Sequence, residues 1–178
     1  WAKGAKWIRG GRLSPSGSRV ALEFRGEIVT LPREKGDDRN LTQSPGVHER
    51  SPAWSPDGKW IAYFSDRGGE YALHLAPQDG KGGARRIALQ GAGFYGNPRW
   101  SPDSKKISFS DNSMTIFVLD VATGAQRKVA SDPLYGPIPV LNHAWSPDSR
   151  FLAYTQNSPT YFNRLFLYSI ADGKSYPV

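Results

Sequence analysis

The side chains that could carry nucleophilic or acid–base chemistry are few in this sequence, and they lie far apart. The chain has 178 residues and three histidines, His48, His74 and His143. It contains no Gly-x-Ser-x-Gly segment, the turn that exposes the nucleophile of many serine hydrolases. It also has no cysteine, which excludes a thiol nucleophile, a disulfide and a zinc–thiolate site. The sequence therefore predicts no nucleophile–base pair.

Metal-binding and phosphate-binding motifs are also missing. The acidic residues of the predicted turns, Asp37, Asp38, Asp66 and Asp79, do not form the Asp-x-Asp-x-Asp-Gly pattern of a calcium loop. The glycine-rich segment 91–96 joins two predicted strands, so it lacks the helix N-terminus that commonly binds phosphate. We expect no metal and no cofactor.

The charge balance is basic, with 23 Lys and Arg against 16 Asp and Glu, a net charge of +7 and a pI near 9.7. Basic residues cluster near the start of the chain and in the pairs Arg85–Arg86 and Lys105–Lys106. Most aromatic residues recur at predicted core positions, which leaves few of them to stack on bases. We expect a solvated basic surface first and an acidic partner or peptide carboxylate second. Nucleic acid is disfavoured.

The sequence gives weaker indications of context. No apolar run approaches the roughly 18 residues of a membrane-spanning helix, so no membrane partner is expected. The chain opens at Trp1 without a signal-peptide pattern, which favours a segment of a longer protein. A lack of cysteine suits either cytoplasm or periplasm. We expect a cytoplasmic location, with the periplasm as the alternative.

The elements that must position these side chains follow from an internal repeat. A Ser-Pro segment, preceded by Trp in three of four copies, has its serines at Ser14, Ser55, Ser101 and Ser146. Their spacings are 41, 46 and 45 residues, which is the period of β-propeller blades. In a tight turn, Ser bonds the backbone ahead, Pro presets φ, and Gly accepts positive φ. Ser104 and Ser149 replace that Gly, so we expect either strain or a different turn type there.

A strand of large, small and large residues follows each turn. The aligned columns are Val20, Ile61, Ile107 and Leu152, then Ala21, Ala62, Ser108 and Ala153, then Leu22, Tyr63, Phe109 and Tyr154. Such strands are typically covered on both faces. Further strands and a glycine turn complete each repeat. We predict an all-β protein, a β-propeller of about four four-stranded antiparallel blades, at 1–44, 45–91, 92–133 and 134–178.

The repeats resemble propellers related to TolB and the WD-type repeats. A more specific resemblance, to the tricorn-type proteases, is carried by Arg25–Ile28, Arg39–Thr42, Pro45–Arg50 and Trp54–Asp66. It implies the first four blades of a seven-bladed propeller that admits or filters peptides before an enclosed active site. The catalytic Ser and His of that family lie after the propellers, so no catalytic residue transfers to this chain.

The resemblance thus implies a scaffold and peptide-access module that is not an enzyme by itself. Its partners would be peptides or proteins and the remaining blades and peptidase domains of a parent chain. The alternative is a stand-alone TolB-like propeller that binds proteins or peptides.

The residues expected to contact peptide lie where the inner strands begin, because loops on a rigid scaffold commonly carry binding. They are His48, Glu49, Arg50, Tyr95, Asn97, Asn142 and His143. The alternative is that they are ordinary solvated loop residues. We also expect self-association, most simply as a two-fold dimer, because terminal blades would leave apolar faces open, at Val20 with Leu22 and at Leu152 with Tyr154. The alternative is a monomer that closes on itself as a four-bladed ring.

Overall fold

The computed structural model describes residues 4–91, 93–132, 141–158, 160 and 162–178. These residues form four antiparallel four-stranded sheets, each built from strands that are consecutive in sequence. This is the blade architecture of a β-propeller, and it confirms the predicted fold class. The limits of the four repeats stay a prediction.

The chain divides into two compact units, Trp1–Leu89 (unit 1) and Gln90–Val178 (unit 2). Unit 1 begins with a short 3-10 helix, Ala5–Trp7, and contains blades 1 and 2. Blade 1 consists of β1 (Ile8–Leu13), β2 (Arg19–Phe24), β3 (Glu27–Pro32) and β4 (Arg39–Asn40). Blade 2 consists of β5 (Glu49–Trp54), β6 (Trp60–Ser65), β7 (Ala72–Pro77) and β8 (Arg85–Ala88).

Unit 2 contains blades 3 and 4. Blade 3 consists of β9 (Tyr95–Trp100), β10 (Lys106–Asp111), β11 (Thr115–Asp120) and β12 (Gln126–Ser131). Blade 4 consists of β13 (His143–Trp145), β14 (Phe151–Asn157), β15 (Asn163–Ser169) and β16 (Lys174–Pro177). In every blade the first strand begins at one end, which we call the entrance end. The Ser-Pro turn between the first two strands lies at the opposite end, the turn end.

The Ser-Pro-Asp turns are built by the same hydrogen bonds in blades 2, 3 and 4. In blade 3, for example, the Ser101 hydroxyl donates to the Asp103 carboxylate at 2.5 Å and accepts the Lys106 N–H at 2.9 Å. Of the two alternatives for the serine turns, the structure shows the same turn conformation: φ is 59° at Ser104 and 61° at Ser149, against 73° at Gly58. In unit 2 the Ser149 hydroxyl also accepts the Asp103 N–H at 3.1 Å, a bond that glycine could not provide.

Packing between blades follows one rule in both units. Each blade has a large-residue face, which carries the two columns of large residues, and a small-residue face, which carries the column of small residues. The large-residue face of the second blade packs on the small-residue face of the first. In unit 1, Ile61 and Tyr63 pack on Ala21 and Ile28. In unit 2, residues of the large-residue face of blade 4 pack on the small-residue face of blade 3, in a cluster that includes Leu152, Tyr154, Ile116 and Val118.

This rule corrects one expectation about open faces. Val20 and Leu22 are half-buried, as expected for a partly open face of blade 1. Leu152 and Tyr154, however, are only 0% and 3% exposed, so their assignment to an open face was wrong. The reason is that blade 3 covers the large-residue face of blade 4. The partly open face of blade 4 is instead its small-residue face, with Leu165, Leu167 and Tyr176 exposed.

Candidate functional site

The beginning of β5 brings His48 to the surface of unit 1. Its backbone N–H donates to Asp66 Oδ1 at 2.7 Å, and its Nδ1 lies 2.6 Å from the Tyr71 hydroxyl. Asp66 and Tyr71 belong to the connection between β6 and β7, so this connection fixes the imidazole. Sequence reasoning missed Tyr71. An aromatic residue in a polar turn was the only signal for it.

Arg50 joins this group from within β5. It is half-buried, and its guanidinium opposes the increase in the Tyr71 pKa that burial and then Asp66 produce. Next to it, Ser51 has a φ of 56° at an irregularity in the β5–β6 register, and its N–H donates to Glu23 Oε2 at 3.0 Å. We call His48, Arg50, Asp66 and Tyr71 the entrance cluster. It brings an imidazole, a phenol, a carboxylate and a guanidinium together at the entrance end of blade 2.

Glu49 points away from this surface. Its side chain is 2% exposed, and its Oε1 accepts the Ser44 hydroxyl at 2.6 Å. Among the described residues, its Oε2 has no hydrogen-bond partner. Burial is the main reason that the pKa of Glu49 lies above its ordinary value. Of the three residues predicted at this strand, His48 and Arg50 therefore reach the entrance cluster, and Glu49 lies beneath it.

In unit 2, blade 3 contributes one buried and one exposed candidate. Tyr95 is 3% exposed and its ring packs edge-on against Phe109, with ring centres 5.8 Å apart. Asn97 is exposed and has a φ of 52°, a conformation that Asn tolerates better than most residues. Only Asn97 is thus placed to meet a ligand from solvent.

Blade 4 likewise contributes one exposed and one buried candidate residue. Asn142 is exposed and its carbonyl accepts the Thr155 N–H at 3.1 Å. His143 is 3% exposed, with Nδ1 at 3.3 Å from the Leu141 carbonyl. Burial lowers its pKa to about 4, so the ring is neutral at physiological pH. In the part of the chain that the structure describes, its Nε2 meets no partner, and the same holds for His74 Nε2.

These placements give no catalytic centre in the described ranges. Nδ1 of His48 is bonded to a phenol and Nδ1 of His143 faces a carbonyl, so neither of these two nitrogens is bonded to a serine or threonine hydroxyl. No cluster of three or more potential metal ligands occurs within the described residues. Nor does the described part contain a helix long and apolar enough to cross a membrane.

Comparison with solved structures shows the same fold. The chain superposes on the tricorn protease with a TM-score of 0.80 at 14% identity, covering 98% of this chain and 17% of that one. TolB from Acinetobacter baumannii gives 0.69 at 17% identity, covering 96% and 43%. A putative TolB from Agrobacterium tumefaciens gives 0.71 at 17% identity, covering 96% and 61%. The chain therefore spans less than two thirds of each.

The sequence provides the more specific match. Residues 8–178 match the family model described as the tricorn protease second beta propeller domain. This match covers all four blades and confirms the resemblance carried by the turns and by the segments around Arg25–Ile28 and Pro45–Arg50. The chain belongs to the family of the tricorn protease second β-propeller domain.

Proposed function

We propose that this chain is a non-catalytic propeller segment of a tricorn-type serine peptidase, which provides a scaffold and helps to admit peptides to an enclosed active site. The family match over residues 8–178 carries the proposal. The entrance cluster supports it, because an imidazole and a guanidinium are side chains of the type that recognises peptide carbonyls and carboxylates. The peptidase chemistry itself would belong to other parts of a parent protein.

Two measurements test this proposal. The purified chain should not turn over a panel of fluorogenic peptides. Reproducible cleavage that a point substitution in this chain abolishes would contradict the non-catalytic role. Labelled peptides should bind, and Arg50→Gln should weaken their binding several-fold, as read by fluorescence anisotropy.

The matched control for the binding experiment is Arg33→Gln. Arg33 follows β3 at the turn end, where it forms an exposed pair with Glu34 at 3.6 Å, so this variant removes the same charge far from the entrance cluster of unit 1. Equal weakening by both variants would show only a general charge effect, and unchanged affinity in Arg50→Gln would reject the entrance cluster as a peptide site.

A stand-alone TolB-like binding propeller is the second candidate, favoured by the two TolB structures that match 96% of this chain. The parent reading frame distinguishes the candidates. A downstream PDZ and serine-peptidase region selects the first function, and a short secretory domain upstream selects the second. The cytoplasmic location is part of the first proposal and the periplasmic location part of the second.

The partly open blade faces support a role in assembly. Blade 1 presents a large-residue face, where Leu13 is 71% exposed, and blade 4 presents a small-residue face, where Leu165 is 43% and Leu167 is 36% exposed. These are the two kinds of face that pack together inside each unit. We propose that isolated chains associate with the large-residue face of one copy against the small-residue face of another.

Light scattering over a wide dilution range tests this association. We expect a dimer or larger species that Leu167→Glu dissociates, with Glu70→Lys, an exposed change on the β6–β7 connection, as the folded control. A single species near 20 kDa at all concentrations, which is about the 19.7 kDa of one chain, would overturn the proposal.

A further inference from the structure

A cavity of about 300 Å³ lies at the turn end of unit 2, between blades 3 and 4. None of its residues belongs to the predicted peptide-contact set or to the entrance cluster. Its walls are formed by both blades, and the lining residues are Lys106, Val118, Asp120, Thr123, Ala125, Arg127, Tyr168 and Ile170. The volume is at the lower limit of roughly 300–1,000 Å³ for ligand pockets, and it suits a single amino-acid residue.

The charged residues of this cavity leave it net positive. Lys106 and Arg127 contribute two positive charges, and Asp120 contributes one negative charge. Asp120 Oδ1 accepts the N–H and the hydroxyl of Thr123, both at 2.9 Å. The Thr123 N–H is the largest cause of the lowered pKa of Asp120, and Lys106 adds to it. The carboxylate of Asp120 therefore stays ionised and serves the turn.

Both cations remain available to a ligand. The ion pairs found among the described residues are Arg33–Glu34, Lys59–Asp57 and Arg150–Asp148, so Lys106 and Arg127 take part in none of them. Arg127 is exposed and Lys106 is half-buried. A charge-assisted bond to a carboxylate is about twice as strong as a neutral hydrogen bond. A ligand with a carboxylate would therefore bind here more tightly than a neutral one.

In unit 1 the cation equivalent to Lys106 is Arg19, and its guanidinium is already bonded within the blade. Arg19 begins β2 as Lys106 begins β10, and it donates to the Thr30 hydroxyl at 3.1 Å and to the carbonyls of Thr30 and Asp37 at 3.0 and 2.9 Å. In unit 2 the register places Val118 where blade 1 has Thr30. Valine offers no side-chain acceptor, so the side chain that would hold the cation internally is absent at this position.

The remaining walls suit an apolar group next to the charge. Val118 is 6% exposed and Tyr168 is 3% exposed, and Ala125 and Ile170 complete the lining. Tyr168 adds an aromatic ring to this lining. A ligand with a carboxylate and a short apolar side chain would satisfy both kinds of wall.

We infer that this cavity binds the C-terminal residue of a peptide, with its carboxylate between Lys106 and Arg127 and its apolar side chain against Val118, Ala125 and Ile170. Recognition of a carboxylate rests on the cavity itself. The choice of a peptide as its carrier rests on the proposed function.

The experiment compares N-acetyl-leucyl-leucine with its C-terminal amide, using the whole chain and NMR or calorimetric titration. The free acid should bind at least tenfold more tightly than the amide. Arg127→Gln and Lys106→Met should each reduce the affinity for the acid about tenfold, since each removes a charge-assisted bond. The affinity for the amide should change little.

The matched control is Lys128→Gln. Lys128 neighbours Arg127 on β12 but pairs with Phe117, on the opposite face of the blade, so the same charge is lost outside the cavity. Equal affinity for acid and amide, an equal loss in Lys128→Gln, or no binding at millimolar peptide would each overturn the inference. Acid-specific binding that is unchanged in Arg50→Gln would keep the cavity and reject the entrance cluster. If Arg50→Gln weakened peptide binding and the acid bound no better than the amide, the entrance cluster would be kept and the cavity rejected.

Discussion

The two ends of the blades differ in how regular they are. At the turn end, blades 2, 3 and 4 repeat one set of bonds, in which Ser55, Ser101 and Ser146 donate to Asp57, Asp103 and Asp148 at 2.5–2.6 Å. At the entrance end each blade has its own arrangement, such as the buried carboxylate of Glu49 and the buried imidazole of His143. The repeated turns specify the fold, whereas the entrance end differs from blade to blade. The cavity proposed at the turn end lies beside these turns, between blades 3 and 4.

The largest effect that we expect is a loss of stability in mild acid. It should come from buried histidines and not from the carboxylates of the turn end. Burial lowers the pKa values of His143 and His74 from 6.5 to about 4. The unfolded chain therefore takes up these protons first, and stability should fall as the pH decreases from 6.5 to about 4, by up to about 3 kcal/mol for His143 and by less for His74. The pKa of Glu49 is raised, so this residue has the opposite effect on stability. Its contribution to stability is lost as the pH rises above the ordinary pKa of a glutamate.

Urea denaturation at several pH values measures this loss. His143→Leu should flatten the profile between pH 6.5 and 4. His74→Phe provides a second variant, which keeps an aromatic ring stacked on Tyr63, where the ring centres are now 5.5 Å apart. The turn-end carboxylates should contribute only at lower pH, because hydrogen bonds from Ser146 and Arg150 lower the pKa of Asp148 to about 2. A profile that is flat down to pH 4 would contradict the burial of both imidazoles.

The next effect tests the bond that joins neighbouring blades at the turn end. Trp54 Nε1 donates to the Arg12 carbonyl, and Trp145 Nε1 donates to the Arg99 carbonyl, both at 3.0 Å. Trp54→Phe should lower the free energy of unfolding by about 2 kcal/mol, because it removes the donor and part of a buried ring. Trp145→Phe should cost less, because Trp145 is less buried. Equal costs in urea denaturation would show that burial does not set the difference.

A smaller loss of stability is expected when a bond of the repeated turn is removed. Asp103→Ala removes the acceptor of the Ser101 hydroxyl and of the Lys105 N–H at 3.0 Å. We expect a loss of about 1–2 kcal/mol in chemical denaturation. The entrance-end control is Asn142→Ala, whose contact with Thr155 uses only the backbone carbonyl and should survive. If Asn142→Ala proved as costly as Asp103→Ala, regularity would not mark the residues that stabilise the fold.

The smallest effect separates strain from hydrogen bonding at Ser149. Ser149→Ala keeps the positive φ of 61° and loses the bond to the Asp103 N–H, so it should cost about 1 kcal/mol. Ser149→Gly loses the same bond but removes the strain of a side chain at positive φ, so its stability should lie within about 0.5 kcal/mol of the original. Thermal unfolding compares the two variants. An alanine variant as stable as the glycine variant would show that this turn stores no strain.

The sequence alone determined the blades. The Ser-Pro turns, their spacing and the alternating columns are local features, so the fold class and the family could be predicted from them. It also singled out His48, Arg50, Asn97 and Asn142, which the structure leaves exposed or half-buried, and their contact with peptide stays a prediction. These predictions depend on neighbours along the chain, which the sequence displays directly.

Only the tertiary structure decided which face of each blade is covered and which polar side chains point inward. Leu152 and Tyr154 are buried because blade 3 packs on them, and Glu49 and His143 turn into the interior although their neighbours remain exposed. The cavity around Lys106 and Arg127 also depends on a register between strands, which sets Val118 in the position of Thr30. Burial depends on contacts between residues far apart in sequence, and a single strand presents the same alternation whichever of its faces is later covered.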